Sequence, residues 1–246
     1  MTVLGCWSPY PAAGGSCPGY LLQERETLVL LDCGNGVLSK LQQQVNFTSL
    51  DAVIISHLHP DHYLDLYCLR HAWAGRGQGV TRVAPLPLYL PCEPAEVYRK
   101  LKSFNDVFDL HAVETLPEHQ VQVKDLGFHF YQVQHPLPTY AVKVKGTGCL
   151  AYSADTAWQE DQVEWAAGAD LCLCEASVLE QDSWLAHAAG HLTARQAGVT
   201  GRQARIKRLL LTHFWPEYPV EAVRAEAEEG FGQKVELARE GQIYNL

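Results

Sequence analysis

The chain has 246 residues, with 19 Lys+Arg against 28 Asp+Glu and a formal net charge of −9. That length can bury a full core without disulfide or metal staples. The negative balance argues against a broadly basic surface that would hold long duplex DNA. Eleven histidines beside a single methionine are the unusual feature of the composition.

In chain order, the apolar runs Val3–Cys6, Tyr20–Gln23 and Thr27–Leu31 predict strands, separated by the Pro/Gly-rich stretch Ser8–Gly19. Leu38–Val45 has helical spacing, and Ala52–Ser56 is a short buried strand that runs into a histidine cluster. After the Gly75–Gly79 loop, Leu86–Leu90 predicts a strand and Pro94–Asn105 a helix opened by Pro and Glu. The middle predicts strands at Val107–Val113, Gln120–Val123, Phe128–His135, Ala141–Lys145 and Cys149–Ser153. Helix Glu160–Ala167, strand Leu171–Cys174, helix Ala194–Gln203, strand Arg208–Thr212 and helix Val220–Glu228 follow. Two short edge strands are expected near Val235 and Ile243. Meandering strands that give way to alternating strands and helices predict one mixed α/β (α+β) domain over residues 1–246, with stacked sheets and helices outside.

No two of the eight cysteines are spaced C-x-x-C, so neither a zinc knuckle nor a thioredoxin-type motif is present. Cys172 and Cys174 lie in an apolar run and read as buried reduced thiols. Met1–Cys6 lacks a charged start, and no apolar run approaches the roughly 18 residues of a membrane span. The expected compartment is the cytoplasm, with no membrane partner.

The strongest signal is His57-Leu58-His59-Pro60-Asp61-His62, directly after the apolar strand Asp51–Ser56. Imidazole and carboxylate donors packed into one loop at a strand end suit zinc, with manganese or iron as alternatives for the same donor set. His135, Asp155 and His213 each follow a further apolar strand. Several strands therefore deliver ligand-type side chains toward one edge, enough for two metals. Asp51 is a candidate acceptor for a spare imidazole nitrogen.

The order His-x-His-x-Asp-His, then His135, Asp155 and His213, resembles the metallo-β-lactamase superfamily, as does Asp32 in Leu-Leu-Leu-Asp-Cys-Gly. The resemblance covers residues 3 to 215 and implies a four-layer αββα sandwich with its site at one edge between the sheets. It further implies that His57, His59 and His135 bind one Zn²⁺ ion and that Asp61, His62 and His213 bind a second. Asp155 would bridge the two, and Asp32 would buttress the metal loop without binding metal. Asp61-His62, in place of a Glu-x-Asp pattern, implies the hydrolytic branch over the di-iron redox branch.

Within that superfamily, Cys174-Glu175-Ala176-Ser177, Gly190-His191-Leu192-Thr193 and Leu211-Thr212-His213-Phe214 resemble the ribonuclease Z branch and its small phosphodiesterase-like relatives. The resemblance implies that His191 assists the scissile phosphate, oriented by Glu175, while Asp61 handles the proton of a zinc-activated water. Thr193-x-x-Gln196 reads as a capping box that sets His191 just before a helix N-terminus, an end that favours phosphate. Arg195, Arg202, Arg205, Lys207 and Arg208, with Arg70, Arg76 and Arg82 in a second acid-free stretch, are either a basic patch or ordinary surface charge. His135 and Asp155 are only 20 residues apart, room for a strand hairpin but not for a tRNA-grasping arm. The Pro-x-Lys-x-Arg-Asn loop of that branch is replaced by Pro11–Ser16. The implied partner is a small phosphodiester, a cyclic nucleotide or an RNA end. A lactonase or thioesterase on the same dinuclear site, and a non-catalytic metal- or nucleotide-binding protein, are the rival readings. Trp73, Trp184 and Trp215 are candidates for a substrate pocket or a homodimer contact.

Overall fold

The structure, a computed structural model, describes residues 1–75, 84–159 and 163–246. Thr2–Gly5 (β1), Gly19–Glu24 (β2), Thr27–Leu31 (β3), Ala52–Ile54 (β4), Leu86–Leu90 (β5) and Phe108–Ala112 (β6) form one sheet in that spatial order. Gln120–Val123 (β7), Leu126–Val133 (β8), Thr139–Lys145 (β9), Cys149–Tyr152 (β10), Leu171–Glu175 (β11), Arg208–Thr212 (β12) and Glu236–Leu237 (β13) form the second, also in chain order. The helices are Val37–Gln44 (α1), Pro60–Tyr63 (α2), Leu66–Gly75 (α3), Ala95–Lys102 (α4), Ser183–Ala189 (α5), Ala194–Gln203 (α6) and Val220–Phe231 (α7).

Period-two alternation divides the first sheet between two cores. Val29 and Leu31 of β3, with Ala52 and Ile54 of β4, belong to the core shared with the second sheet. Leu30 and Val53, between them in sequence, point to the opposite face. There they meet Leu41 of α1, Leu66, Leu69 and Trp73 of α3, and Leu101 of α4. A one-residue slip in either strand would exchange the two faces, so the pattern fixes the register. On the far side α6 and α7 cover β11, β12 and β13. The layers run helix, sheet, sheet, helix, as the αββα resemblance implies.

The outer helices meet through glycines. A Cβ on Gly198 would sit 2.1 Å from the Ala227 carbonyl, and one on Gly230 would sit 2.2 Å from the Arg195 carbonyl. Only a missing side chain on each helix allows that approach. No helix among the described residues is long and apolar enough to cross a membrane.

Three expectations need correction. Of the helix expected at Glu160–Ala167, residues 160–162 lie outside the described residues, and 164–168 are turns, not helix. The strand expected near Ile243 is a single bridge to Thr2. Helices α2, α3 and α5 were not expected, although Leu66, Leu69 and Trp73 carry an i, i+3, i+7 apolar spacing. Their shortness hides the period: α2 spans 4 residues and α5 spans 7.

Candidate metal centre

Strand direction assembles the site. β3 and β4 are parallel, and so are β10, β11 and β12. β8 is antiparallel to β9, which is antiparallel to β10, so β8 runs the same way as β10. The residues that follow these strands, Asp32, His57, His135, Asp155 and His213, therefore emerge at one edge. Asp32, Ala154 and His213 have φ of 57°, 52° and 62°. A left-handed backbone costs a non-glycine residue about 1 kcal/mol or more. Three such positions where the chain leaves β3, β10 and β12 show turns held by their surroundings in service of the site.

Two donor groups result. Nδ1 of His59 lies 3.0 Å from Nε2 of His57 and 3.0 Å from Nε2 of His135. Oδ2 of Asp155 closes this group, 3.4 Å from His57 and 3.9 Å from His135. In the second group, Nε2 of His62 and Nε2 of His213 are 3.2 Å apart. Asp61 Oδ2 stands 3.6 and 3.7 Å from them. Asp155 turns its other oxygen, Oδ1, to this group, 3.4 Å from His62 and 3.1 Å from His213. One carboxylate thus faces both groups.

The outward nitrogens fix the tautomers. His62 Nδ1 donates to Asp32 Oδ2 at 2.9 Å. Asp32 also accepts from Ser56 N at 2.8 Å, Ser56 Oγ at 2.9 Å and the Tyr152 hydroxyl at 2.8 Å. Because Ser56 Oγ spends its proton on Asp32, it accepts from His57 Nδ1, 3.1 Å away. Ser177 Oγ donates to Glu175 Oε2 at 2.5 Å and accepts from His213 Nδ1 at 2.7 Å. His135 Nδ1 donates to the Gly190 carbonyl at 2.8 Å. The Nε2 atoms of these four imidazoles are left to face inward, into the two groups. Ring nitrogens 3.0–3.2 Å apart need a shared proton or a cation between them. Asp155 Oδ1 is buried with only the inward nitrogens of His213 and His62 beside it, where a cation can take the place of their protons. The donor set, imidazole plus carboxylate, fits two zinc-type ions.

Titration behaviour separates the groups. Burial depresses His57 far below the usual histidine range, takes His59 down to about 4 and lowers His135, so these rings are neutral near pH 7. In the second group burial also opposes charge, but the surrounding carboxylates, Asp155 foremost, outweigh it. They raise His62 and hold His213 up to about 10. A cation entering there displaces protons.

His191 leads out of α5 toward the capping box of α6, where Thr193 Oγ accepts from Gln196 N at 3.1 Å and Gln196 Oε1 accepts from Thr193 N at 2.9 Å. Its Nδ1 faces Glu175 Oε1 at 3.2 Å and Asp155 Oδ2 at 4.0 Å. Burial works against a charged ring, yet the buried Glu175 carboxylate outweighs it and raises the pKa of His191. Glu175 is itself fixed, since Oε1 accepts from Thr156 N at 2.7 Å. All the sequence-selected ligands and the Glu175–His191 pair therefore meet in one site.

Other expectations fail. Asp51 takes no part: it accepts from Leu28 N at 3.0 Å and pairs with Lys124 at 2.5 Å. Asp32, Ser56, Ser177 and the Gly190 carbonyl hold the imidazoles instead. Trp73 is packed in the core, 5 % exposed, and cannot line a pocket. The basic stretch is partly neutralised by Arg195–Glu229, by Lys207–Asp170 at 2.9 Å and by Arg208–Glu236 at 2.8 Å. Arg70 lies over the Phe104 ring, and Arg76 and Arg82 lie outside the described residues. Ordinary surface charge accounts for most of the stretch. Ser8 is an unforeseen participant, donating to Asp61 Oδ2 at 3.0 Å.

Residues 27–214 match the family model described as a β-lactamase superfamily domain. The chain belongs to that superfamily. Among the superfamily's members, the probable metallo-hydrolase YhfI of Bacillus subtilis is 31% identical, with 99% of this chain and 98% of that protein covered. The crystal structure of YhfI superimposes with a TM-score of 0.90 at 30% identity, covering 99% of this chain and 98% of that one. A ribonuclease Z of Phocaeicola vulgatus is 26% identical, covering 97% of this chain and 94% of that protein. Human tRNase Z, short form, shares the fold at a TM-score of 0.78 and 20% identity, covering 99% of this chain and 98% of that one. The present chain is a metallo-hydrolase of the superfamily by family and by its His/Asp cluster.

Proposed function

We propose that the protein hydrolyses phosphodiester bonds in a small nucleotide or RNA-end substrate, using two Zn²⁺ ions. The observation that carries this reading is the Glu175–His191 pair, set 4.0 Å from the bridging Asp155. An alkoxide leaving from phosphorus needs a proton, and a histidine whose pKa is raised by a fixed carboxylate keeps one to higher pH than an ordinary histidine. The second support is the ribonuclease Z relative. Its alignment runs over 299 positions against 246 residues here, so some fifty or more of its positions have no counterpart in this chain. Between His135 and Asp155 this chain has only the β9–β10 hairpin, which favours a short substrate over a whole tRNA.

Each residue then has a task. His57, His59 and His135 would hold one ion, Asp61, His62 and His213 the other, and Asp155 both. When bound, the pair supplies a water of lowered pKa and polarises a phosphoryl oxygen. Asp61, with Oδ2 held by Ser8, would orient that water. His191 gives its proton to the departing oxygen, and Glu175 keeps the ring aimed and charged.

A panel of bis(p-nitrophenyl) phosphate, an aryl-substituted lactone and an acyl thioester, run on zinc-loaded protein, tests the reading. Turnover of the phosphodiester well above the other two is expected. Preference for the lactone or thioester would replace it with carbonyl hydrolysis.

A further inference from the structure

Beside His191 and His213 opens a slot of about 120 Å³. Pro9, Val178, Leu185, Ala189 and Trp215 line it together with Ser8, Ser177 and the two histidines. Leu185 and Ala189 are four apart on α5 and so share one helix face. Each wall is anchored to the site or its surroundings. Ser8, next to Pro9, donates its N–H to the Phe214 carbonyl at 3.0 Å and its hydroxyl to Asp61. Trp215 packs edge-on against Tyr218, with centroids 5.5 Å apart, and Tyr218 donates to Asp182 at 2.7 Å at the start of α5. The slot is thus preformed, mostly apolar away from its serines and histidines, and continuous with the proposed chemistry.

We infer that this slot selects the substrate: it receives a flat, uncharged, single-ring group carried on the phosphate beside His191. Size supports that occupant, because an engineered apolar cavity of about 150 Å³ takes up benzene. Chemistry supports it too, since no charged side chain other than the two histidines lines the walls. A fused bicyclic group is too large for this volume, and a bare sugar would bring hydroxyls against its apolar walls. The inference rests on the phosphodiester reading for the identity of the reacting group, while the slot's preference for a ring stands on its walls alone.

Calorimetric titration of the zinc-loaded protein with phenylphosphonate and methylphosphonate, neither of which can be hydrolysed, tests it. Burial of the ring predicts phenylphosphonate to bind about 10-fold tighter or more. Ala189→Leu fills the slot with a good helix former and is expected to abolish that preference while methylphosphonate binds as before. Leu185→Ala, which widens the slot, is expected to reduce it, and circular dichroism shows whether each variant is folded. Equal binding of the two phosphonates to wild type, or an undiminished preference in both folded variants, overturns the inference. Assay of bis(p-nitrophenyl) phosphate on the same samples separates the two claims. A ring preference without phosphodiester turnover removes the proposed reaction and leaves the slot, and turnover without a ring preference does the reverse.

Discussion

His135 donates its Nδ1 proton to the carbonyl of Gly190 at 2.8 Å, and the next residue after that carbonyl is His191. One turn at the end of α5 therefore aims a metal-group imidazole and presents the proposed proton donor. Gly190 has φ +76°, and a Cβ there would meet Pro136 Cδ at 2.6 Å and His135 Nδ1 at 3.1 Å. Gly190→Ala is expected to weaken binding of the first zinc about 10- to 100-fold, the usual range for disturbing a ligand's outer hydrogen bond. Competition with a chromophoric chelator reads this, and wild-type affinity would show that the turn does not hold His135.

His191→Ala should retain the metal content of the wild type and lose turnover by about 10²- to 10⁴-fold, as for removal of a general acid. Metal analysis and steady-state assay on one preparation give both numbers. Unchanged hydrolysis of bis(p-nitrophenyl) phosphate would assign the proton to another group.

The pH profile follows from the sign of the shift. Burial lowers and Glu175 raises the pKa of His191, with a net rise, so the charged, proton-giving form persists above the ordinary histidine range. Activity that needs this proton is present below the raised pKa and falls as pH rises through it. Glu175→Gln removes the carboxylate, so the alkaline fall of kcat is expected at lower pH. A limb that stays in place would detach Glu175 from the titration.

Zinc uptake is expected to release protons from the second group only. His213, held up to about 10, and His62, also raised, carry protons near pH 7 that a cation must displace, whereas His57, His59 and His135 are already neutral. Calorimetry in two buffers of different ionisation enthalpy counts those protons. Buffer-independent heats for both equivalents would contradict the difference between the groups.

Asp32→Asn keeps the shape, and Asn tolerates the left-handed backbone at φ 57°. It nevertheless removes the charge that faces His62 and places a donor where four donors already converge. A loss of about 3 kcal/mol or more is expected, as when one partner of a buried pair is removed. Urea denaturation of zinc-free protein measures it without the contribution of bound metal.

Much of this site is legible in the sequence because each ligand-type residue ends an apolar strand, and strand ends at one edge meet. His57 to His62 is local, and His135, Asp155 and His213 announce themselves by place. The helix after His191 is equally legible, because Thr193 and Gln196 cap each other within one turn. What supports the ligands is not legible. Ser8 meets Asp61, Tyr152 meets Asp32 and Gly190 meets His135 across 53, 120 and 55 residues, and no local pattern encodes such pairs. Asp51 looked suitable only through its nearness in sequence, and its carboxylate turns to Lys124. Gly190 did carry a signal, a glycine closing the short run Ser183–Ala189, which marks a helix C-terminus.

Turnover of bis(p-nitrophenyl) phosphate during a zinc titration of metal-free protein decides whether this is a dinuclear phosphodiesterase. Tight uptake of two zinc ions per chain is expected, with activity that reaches its plateau only at the second equivalent and a loss on chelation that zinc reverses. Two zinc ions bound with no phosphodiester turnover at any stoichiometry would contradict it.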